Sequence, residues 1–286
     1  MNKKIKKKLK IFNIFLLISF SVLIVLFYRF SIPKSNKKIL EDFSENNTEV
    51  FIRNKTFKSF KYRVVATQKV IDTSKITLVF IHGAIGTSTD FKKYMFDKEL
   101  NSKANLISYD RVGYGIHQTG DAQGSIAFET DLLEDLVVDL NASKIILVGY
   151  SYGGPIALAS KKQYKKIVLL APALYSKTEK MPWALNLYTW KATRWLVPKV
   201  WKAASIEKLS HIDDLQKFEN YWNTNPSEVI SIHGTKDGIV PYENSLLLKE
   251  NFLQQKFELL TLENTGHGLV WTHFNEIKNS LIQQLN

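Results

Sequence analysis

Residues 149–153 read Gly-Tyr-Ser-Tyr-Gly, a G-x-S-x-G spacing that can present a serine hydroxyl as a nucleophile. A serine is a weak nucleophile until a base takes its proton and a third group orients that base. Acyl transfer also needs hydrogen-bond donors aimed at the oxygen that becomes negative. Candidates for these parts recur as short Gly/His/Asp clusters: His82-Gly83-Ala84, Asp110-Arg111-Val112-Gly113-Tyr114-Gly115, His233-Gly234-Thr235-Lys236-Asp237 and Gly266-His267-Gly268.

Each cluster follows a short apolar run. Before Ser151, Ile145 to Val148 is rich in β-branched residues and suits a strand buried on both faces of a parallel sheet. The chain must then turn sharply into a helix, and Gly149 and Gly153 remove side chains that would collide across that turn. Pro155 suits the first helical turn, and Ile156 to Ser160 continues with good helix formers. Further strands are expected at 76–81, 105–109, 166–170, 228–232 and 257–262, and an antiparallel one over 57–70 that could pair with 49–54. Helices are expected at 89–100, 130–140, 245–253 and 274–285. Strands alternating with helices imply a mostly parallel sheet, whose sites lie at the strands' carboxyl ends. All the clusters above fall there.

Ser151, Asp237 and His267 occur in the chain order nucleophile, acid, base. With His82-Gly83 and Asp110-Arg111-x-Gly-x-Gly, they make residues 50–286 resemble the α/β-hydrolase family, in its capped, esterase-like branch. The resemblance implies an α/β fold with a mostly parallel central sheet flanked by helices and a helical cap insertion. It implies that Ser151 is the nucleophile, His267 the general base and then general acid, and Asp237 the group that orients His267. The oxyanion donors would be the backbone N–H groups of Ala84 and Tyr152. It implies no cofactor, and no metal-ligand cluster is visible in the sequence.

Rivals exist for each role. His233 also precedes a glycine, but it comes before the candidate acid and reads as structural. His82 reads as a support for its loop, and Asp110 and Arg111 as a loop-stapling pair. Asp214 lies in a Trp-rich insert with no strand before it. His273 lacks flanking glycines, and His117 and His211 have no motif around them.

That insert, about 174–226, holds five of the six tryptophans. It is expected to form a helical cap over Ser151, with Trp183 and Trp190 lining an apolar acyl pocket. Lys191, Arg194, Lys199 and Lys202 read as a solvated helix face.

The 286 residues suffice for one large α/β domain. With no cysteine, disulfides and thiol catalysis are excluded. The net charge of +12 is local: residues 1–40 carry ten Lys/Arg and no acidic residue, which leaves 29 basic against 27 acidic residues elsewhere. Nucleic-acid binding by the body is therefore not expected. Lys3, Lys4, Lys6, Lys7, Lys8 and Lys10 precede the uncharged stretch Ile11 to Tyr28, the length of a short membrane span. No small-residue cleavage site follows it, which favours an uncleaved anchor. The lysines place the N-terminus in the cytoplasm and the body on the outer, periplasmic or extracellular side.

The expected organisation is a basic N-terminus and transmembrane helix over 1–30, a solvated linker over 31–48 and a hydrolase domain over 49–286. The expected activity is cleavage of a carboxylic ester, or a related acyl bond, through an acyl-enzyme. The partners are a small apolar acyl substrate and the membrane; oligomeric state is not legible. The alternatives are an acyltransferase or perhydrolase using the same residues, or a binding protein that keeps the fold without catalysis.

Overall fold

The computed structural model describes residues 3–285. Met1, Asn2 and Asn286, and the side chains of Lys3, Lys4 and Lys6 from the basic cluster, lie outside the described residues. Helix α1 (Lys3–Phe30) contains the apolar stretch Lys10–Phe30, with a mean hydropathy of 2.6 and none of it buried. Among the described residues this is the one helix long and apolar enough to cross a membrane.

Helix α2 (Asn36–Glu45) follows, capped by Ser35, whose side chain accepts the N–H of Lys38. This corrects the expectation of a solvated linker over 31–48. Ile39 and Phe43, four residues apart, share one helix face and are fully buried against the sheet. The many polar residues around them occupy the other face.

Eight strands form one sheet: β1 (Phe51–Phe57), β2 (Phe60–Ala66), β3 (Ile76–Ile81), β4 (Ala104–Tyr109), β5 (Ile145–Tyr150), β6 (Lys166–Leu170), β7 (Val229–Gly234) and β8 (Phe257–Leu262). Their order is β1-β2-β4-β3-β5-β6-β7-β8, with β3 to β8 parallel and the β1–β2 hairpin antiparallel at one edge. The mostly parallel sheet is thus as expected. The antiparallel strand expected over 57–70 is β2, and it pairs with β1 in the hairpin expected with 49–54; it starts at Phe60 because the chain reverses at Lys58, which takes a positive φ of 51°.

Helices α3 (Ile126–Leu136) and α4 (Gly153–Ala159) pack on one face of the sheet, where Leu133 and Ile156 meet Leu147. Phe91 and Ile277 cover the other face and meet Ile146 and Val148. The central strands are therefore apolar on both sides. Helix α3 starts earlier than the 130–140 expected, because Ser125 accepts the N–H of Phe128 and so begins the helix. The helix expected over 89–100 is broken by Asp97, whose side chain accepts the N–H of Leu100 and starts a second helix at Lys98.

Between β6 and β7 the chain forms helical pieces only, the longest being α5 (Lys199–Leu215). Lys199 and Lys202 lie on α5, while Lys191 and Arg194 lie in the turns before it, so the four do not share one helix face. Helices α6 (Glu243–Asn251) and α7 (Phe274–Gln283) complete the fold.

Candidate active site

Ser151 sits at the carboxyl end of β5, immediately before α4, with a positive φ of 53°. A non-glycine residue held in that region stores backbone strain, which the hydrogen bond from its own N–H to Leu170 O helps sustain. The Gly149–Gly153 spacing leaves room for the turn. Gly83 on the neighbouring loop is equally constrained, since a Cβ there would lie 2.8 Å from the Cβ of Ser151.

Ser151 Oγ is 3.1 Å from Nε2 of His267, and Nδ1 of His267 is 2.7 Å from Oδ2 of Asp237. The three residues come from the ends of β5, β7 and β8, which are well separated in the chain but neighbours or near neighbours in the sheet. Oδ1 of Asp237 accepts the N–H groups of Ile239 and Val240, each at 2.9 Å. Burial would push the Asp237 carboxyl up, but hydrogen bonds from His233 and His267 outweigh it. The carboxyl is therefore held well below the usual carboxylate range.

His233 has a role that its place in the sequence did not disclose. Its Nε2 lies 3.3 Å from Oδ2 of Asp237 and 3.1 Å from Val240 O, and its Nδ1 lies 2.7 Å from Ser245 Oγ. A proton on Nε2 satisfies these partners, with Ser245 donating to Nδ1. The only signal available beforehand was its position four residues ahead of Asp237. Tyr150, the variable residue before Ser151, also supports the site. Its ring lies against His267 with centroids 5.1 Å apart, and its hydroxyl donates to His267 O at 3.0 Å.

The Ala84 loop passes close to Ser151. Among the described residues no protein acceptor takes the main-chain N–H of Ala84 or of Tyr152. Ile85, next to Ala84, has a positive φ of 61°. His82 supports this loop: its Nε2 accepts the N–H of Arg111 at 2.9 Å, and its Nδ1 donates to Gly83 O at 2.7 Å. Burial, reinforced by the nearby Arg111 charge, keeps the His82 ring well below its ordinary pKa, hence neutral.

Asp110 and Arg111 both fasten loops, but not to each other. Asp110 accepts the N–H of Ser88 at 2.8 Å and pairs with Arg63 at 2.8 Å. Arg111 is completely buried and bonds Glu207 on α5, while its guanidinium lies 4.5 Å from the ring centroid of Tyr152. Tyr114 also donates to Glu207, at 2.5 Å. Glu129 on α3 approaches Arg111 at 3.8 Å, and burial, partly countered by Arg111, raises its carboxyl to about 7. One guanidinium thus ties the insert between β6 and β7 to the turn at Ser151. Sequence reasoning missed Glu207, because a lone glutamate in a helix carries no motif.

The remaining candidates lie elsewhere. Asp214 accepts the N–H of Ile126 and so caps α3. His273 is 3.0 Å from Thr265 Oγ1, His117 is 2.9 Å from Asn54 Oδ1, and His211 is 3.2 Å from Glu179 with its ring tilted against that of Tyr152. Trp183 and Trp190 meet edge to face at 6.2 Å on the surface, 68% and 50% exposed. They do not line an enclosed pocket, because the short turns that carry them face outward. Trp222 is the buried one, donating to Leu174 O and stacked on Phe218.

Comparisons with known proteins agree with this architecture. A family model described as "Alpha/beta hydrolase family" matches residues 78–276. The alpha/beta hydrolase domain-containing protein 17C of Mus musculus is 24% identical over 201 residues, 68% of this chain and 55% of that protein. The chain spans about half the length of the curated relatives it matches first. Many solved structures share its fold, among them the following two. The thioesterase domain from the curacin biosynthetic pathway has a TM-score of 0.63 and 12% identity, covering 82% of this chain and all (100%) of that one. A membrane phospholipase A has a TM-score of 0.63 and 13% identity, covering 97% of this chain and 98% of that one.

Proposed function

The chain belongs to the alpha/beta hydrolase family, and on that premise we propose that it is a membrane-anchored serine hydrolase that cleaves a carboxylic ester through an acyl-enzyme. One observation carries this reading: the continuous relay from Ser151 Oγ through His267 to a carboxylate held ionised.

In the proposed cycle, His267 Nε2 takes the Ser151 proton as Oγ attacks the ester carbonyl. The carbonyl oxygen becomes an oxyanion, and the free N–H groups of Ala84 and Tyr152 are available to bind it. Asp237 stabilises the imidazolium so formed. The tetrahedral intermediate collapses as His267 returns the proton to the departing alcohol, leaving the acyl group on Ser151. Water then attacks the acyl-enzyme with His267 as base, and the carboxylic acid leaves.

Helix α1 supports the anchored part of the reading. The similarity to a membrane phospholipase A extends over 97% of the chain and is compatible with a substrate drawn from lipid.

The test is activity of the full chain in detergent against p-nitrophenyl esters of graded chain length, with fluorophosphonate labelling alongside. Turnover with labelling at Ser151 supports the reading. Each methylene bound in an apolar site should favour the longer ester by about 0.8 kcal/mol. A folded protein that neither labels nor turns over any ester would be a binding protein instead.

A further inference from the structure

The end of α1 is fastened to the insert between β6 and β7. Tyr28 donates its hydroxyl to Leu196 O. The rings of Phe27 and Trp201 lie 5.2 Å apart, and Trp201 Nε1 donates to Ser31 Oγ at 2.9 Å. A helix rises about 1.5 Å per residue, so these contacts hold residues 196–201 within one turn of the end of the apolar stretch. That is the level at which tyrosine and tryptophan gather in membrane proteins.

The same region carries an exposed apolar face. Trp195 is 71% exposed, Trp183 and Trp190 are exposed beside each other, and Leu187 and Leu196 add aliphatic surface. The indole N–H of Trp195 is already taken by Ala192 O at 2.9 Å, so its ring can leave water without stranding a donor. The turns are tied together by Arg194, which donates to Tyr188 O and Thr189 O. Residues 180–206 contain five Lys/Arg and no acidic residue.

We propose that this aromatic face of the insert seats in the interfacial layer of the same lipid bilayer that α1 crosses. The proposal rests on reading α1 as a membrane span. Continuity with the span puts the face at the right level, and its basic residues suit anionic headgroups. A second copy is the poorer occupant, since a two-fold contact would set the same unbalanced positive charge against itself. Seated in this way, the insert would hold the Ser151 side of the sheet against the lipid surface through the Arg111–Glu207 tie.

The chain has no cysteine, so single cysteines report single positions. The full chain would carry Trp195→Cys or Trp183→Cys, labelled with an environment-sensitive nitrobenzoxadiazole dye. It would be reconstituted in vesicles of phosphatidylcholine and phosphatidylglycerol with brominated acyl chains. Phe20→Cys within the span and Val70→Cys, exposed at the opposite end of the sheet, serve as references. The expected result is strong quenching by brominated lipid at 20, clear but shallower quenching at 183 and 195, and none at 70. Aqueous iodide should reach only 70. Iodide quenching at 183 and 195 with lipid quenching kept at 20 would overturn the proposal and leave the anchor intact. Protection from both quenchers would also overturn it, by assigning the face to a second protein surface. Loss of lipid quenching at 20 would remove the anchor and the proposal together. None of these readouts depends on hydrolytic activity.

Discussion

Oδ2 of Asp237 is shared by two histidines: His267 approaches it at 2.7 Å and His233 at 3.3 Å. Only His267 also reaches Ser151. The second imidazole therefore acts on the chemistry through the carboxylate. His233→Ala should lower kcat about tenfold to a hundredfold, the scale of one hydrogen bond to a charged group. The loss should fall on kcat with little change in KM. It should also raise the Asp237 carboxyl toward its ordinary value, read by NMR titration of that side chain. An unchanged Asp237 titration would make His233 a packing residue only.

Ser151→Ala and His267→Ala should each reduce turnover by about four orders of magnitude, judged from other serine triads. Ser151→Ala should also abolish fluorophosphonate labelling. Asp237→Asn should be damaging but less complete. An inactive His233→Ala beside an active His267→Ala would reverse the assignment of the base.

The Arg111 node predicts a pH-dependent stability. Two buried carboxylates, Glu129 and Glu207, face one guanidinium, and the Glu129 carboxyl is raised to about 7. A raised acid binds its proton more tightly in the folded state. Its stabilising contribution is full below the ordinary glutamate value and is lost as pH rises through about 7. Glu129→Gln should therefore gain melting temperature relative to the wild type as pH rises from about 5 to about 7, read by calorimetry. Glu207→Gln removes the charged partner of Arg111 and should destabilise by about 3 kcal/mol at neutral pH.

Helix α2 should be part of the folded body. Ile39→Ala and Phe43→Ala each empty a fully buried site and should cost about 3 kcal/mol in denaturant unfolding. Losses near zero would return residues 31–48 to the status of a linker.

The topology expected from the lysines before the apolar stretch, with the body on the outer side, predicts that protease added to spheroplasts removes the body while a fragment containing α1 stays with the membrane. A protected body, or a mature N-terminus near residue 30, would contradict it.

The sequence by itself determined the sheet, the nucleophile turn and the apolar N-terminal helix. These depend on local physics: β-branched runs, glycines that a sharp turn demands, and an uncharged stretch long enough to span lipid. The pairing of Ser151 with Asp237 and His267 came from the resemblance to the α/β-hydrolase family, and it fits the strand reading, since each of the three closes a strand of a parallel sheet. Tertiary structure alone decided the rest. His233 and Asp237 are four residues apart, but only the loop through Val240 holds both, its carbonyl oxygen facing His233 Nε2 and its N–H donating to Asp237. Glu207 meets Arg111 across 96 residues, a pairing with no local signature. Trp183 and Trp190 have the composition of a pocket, yet their turns point them outward. Burial is a property of the folded assembly, and hydrophobicity along the chain does not say which apolar surface is left uncovered.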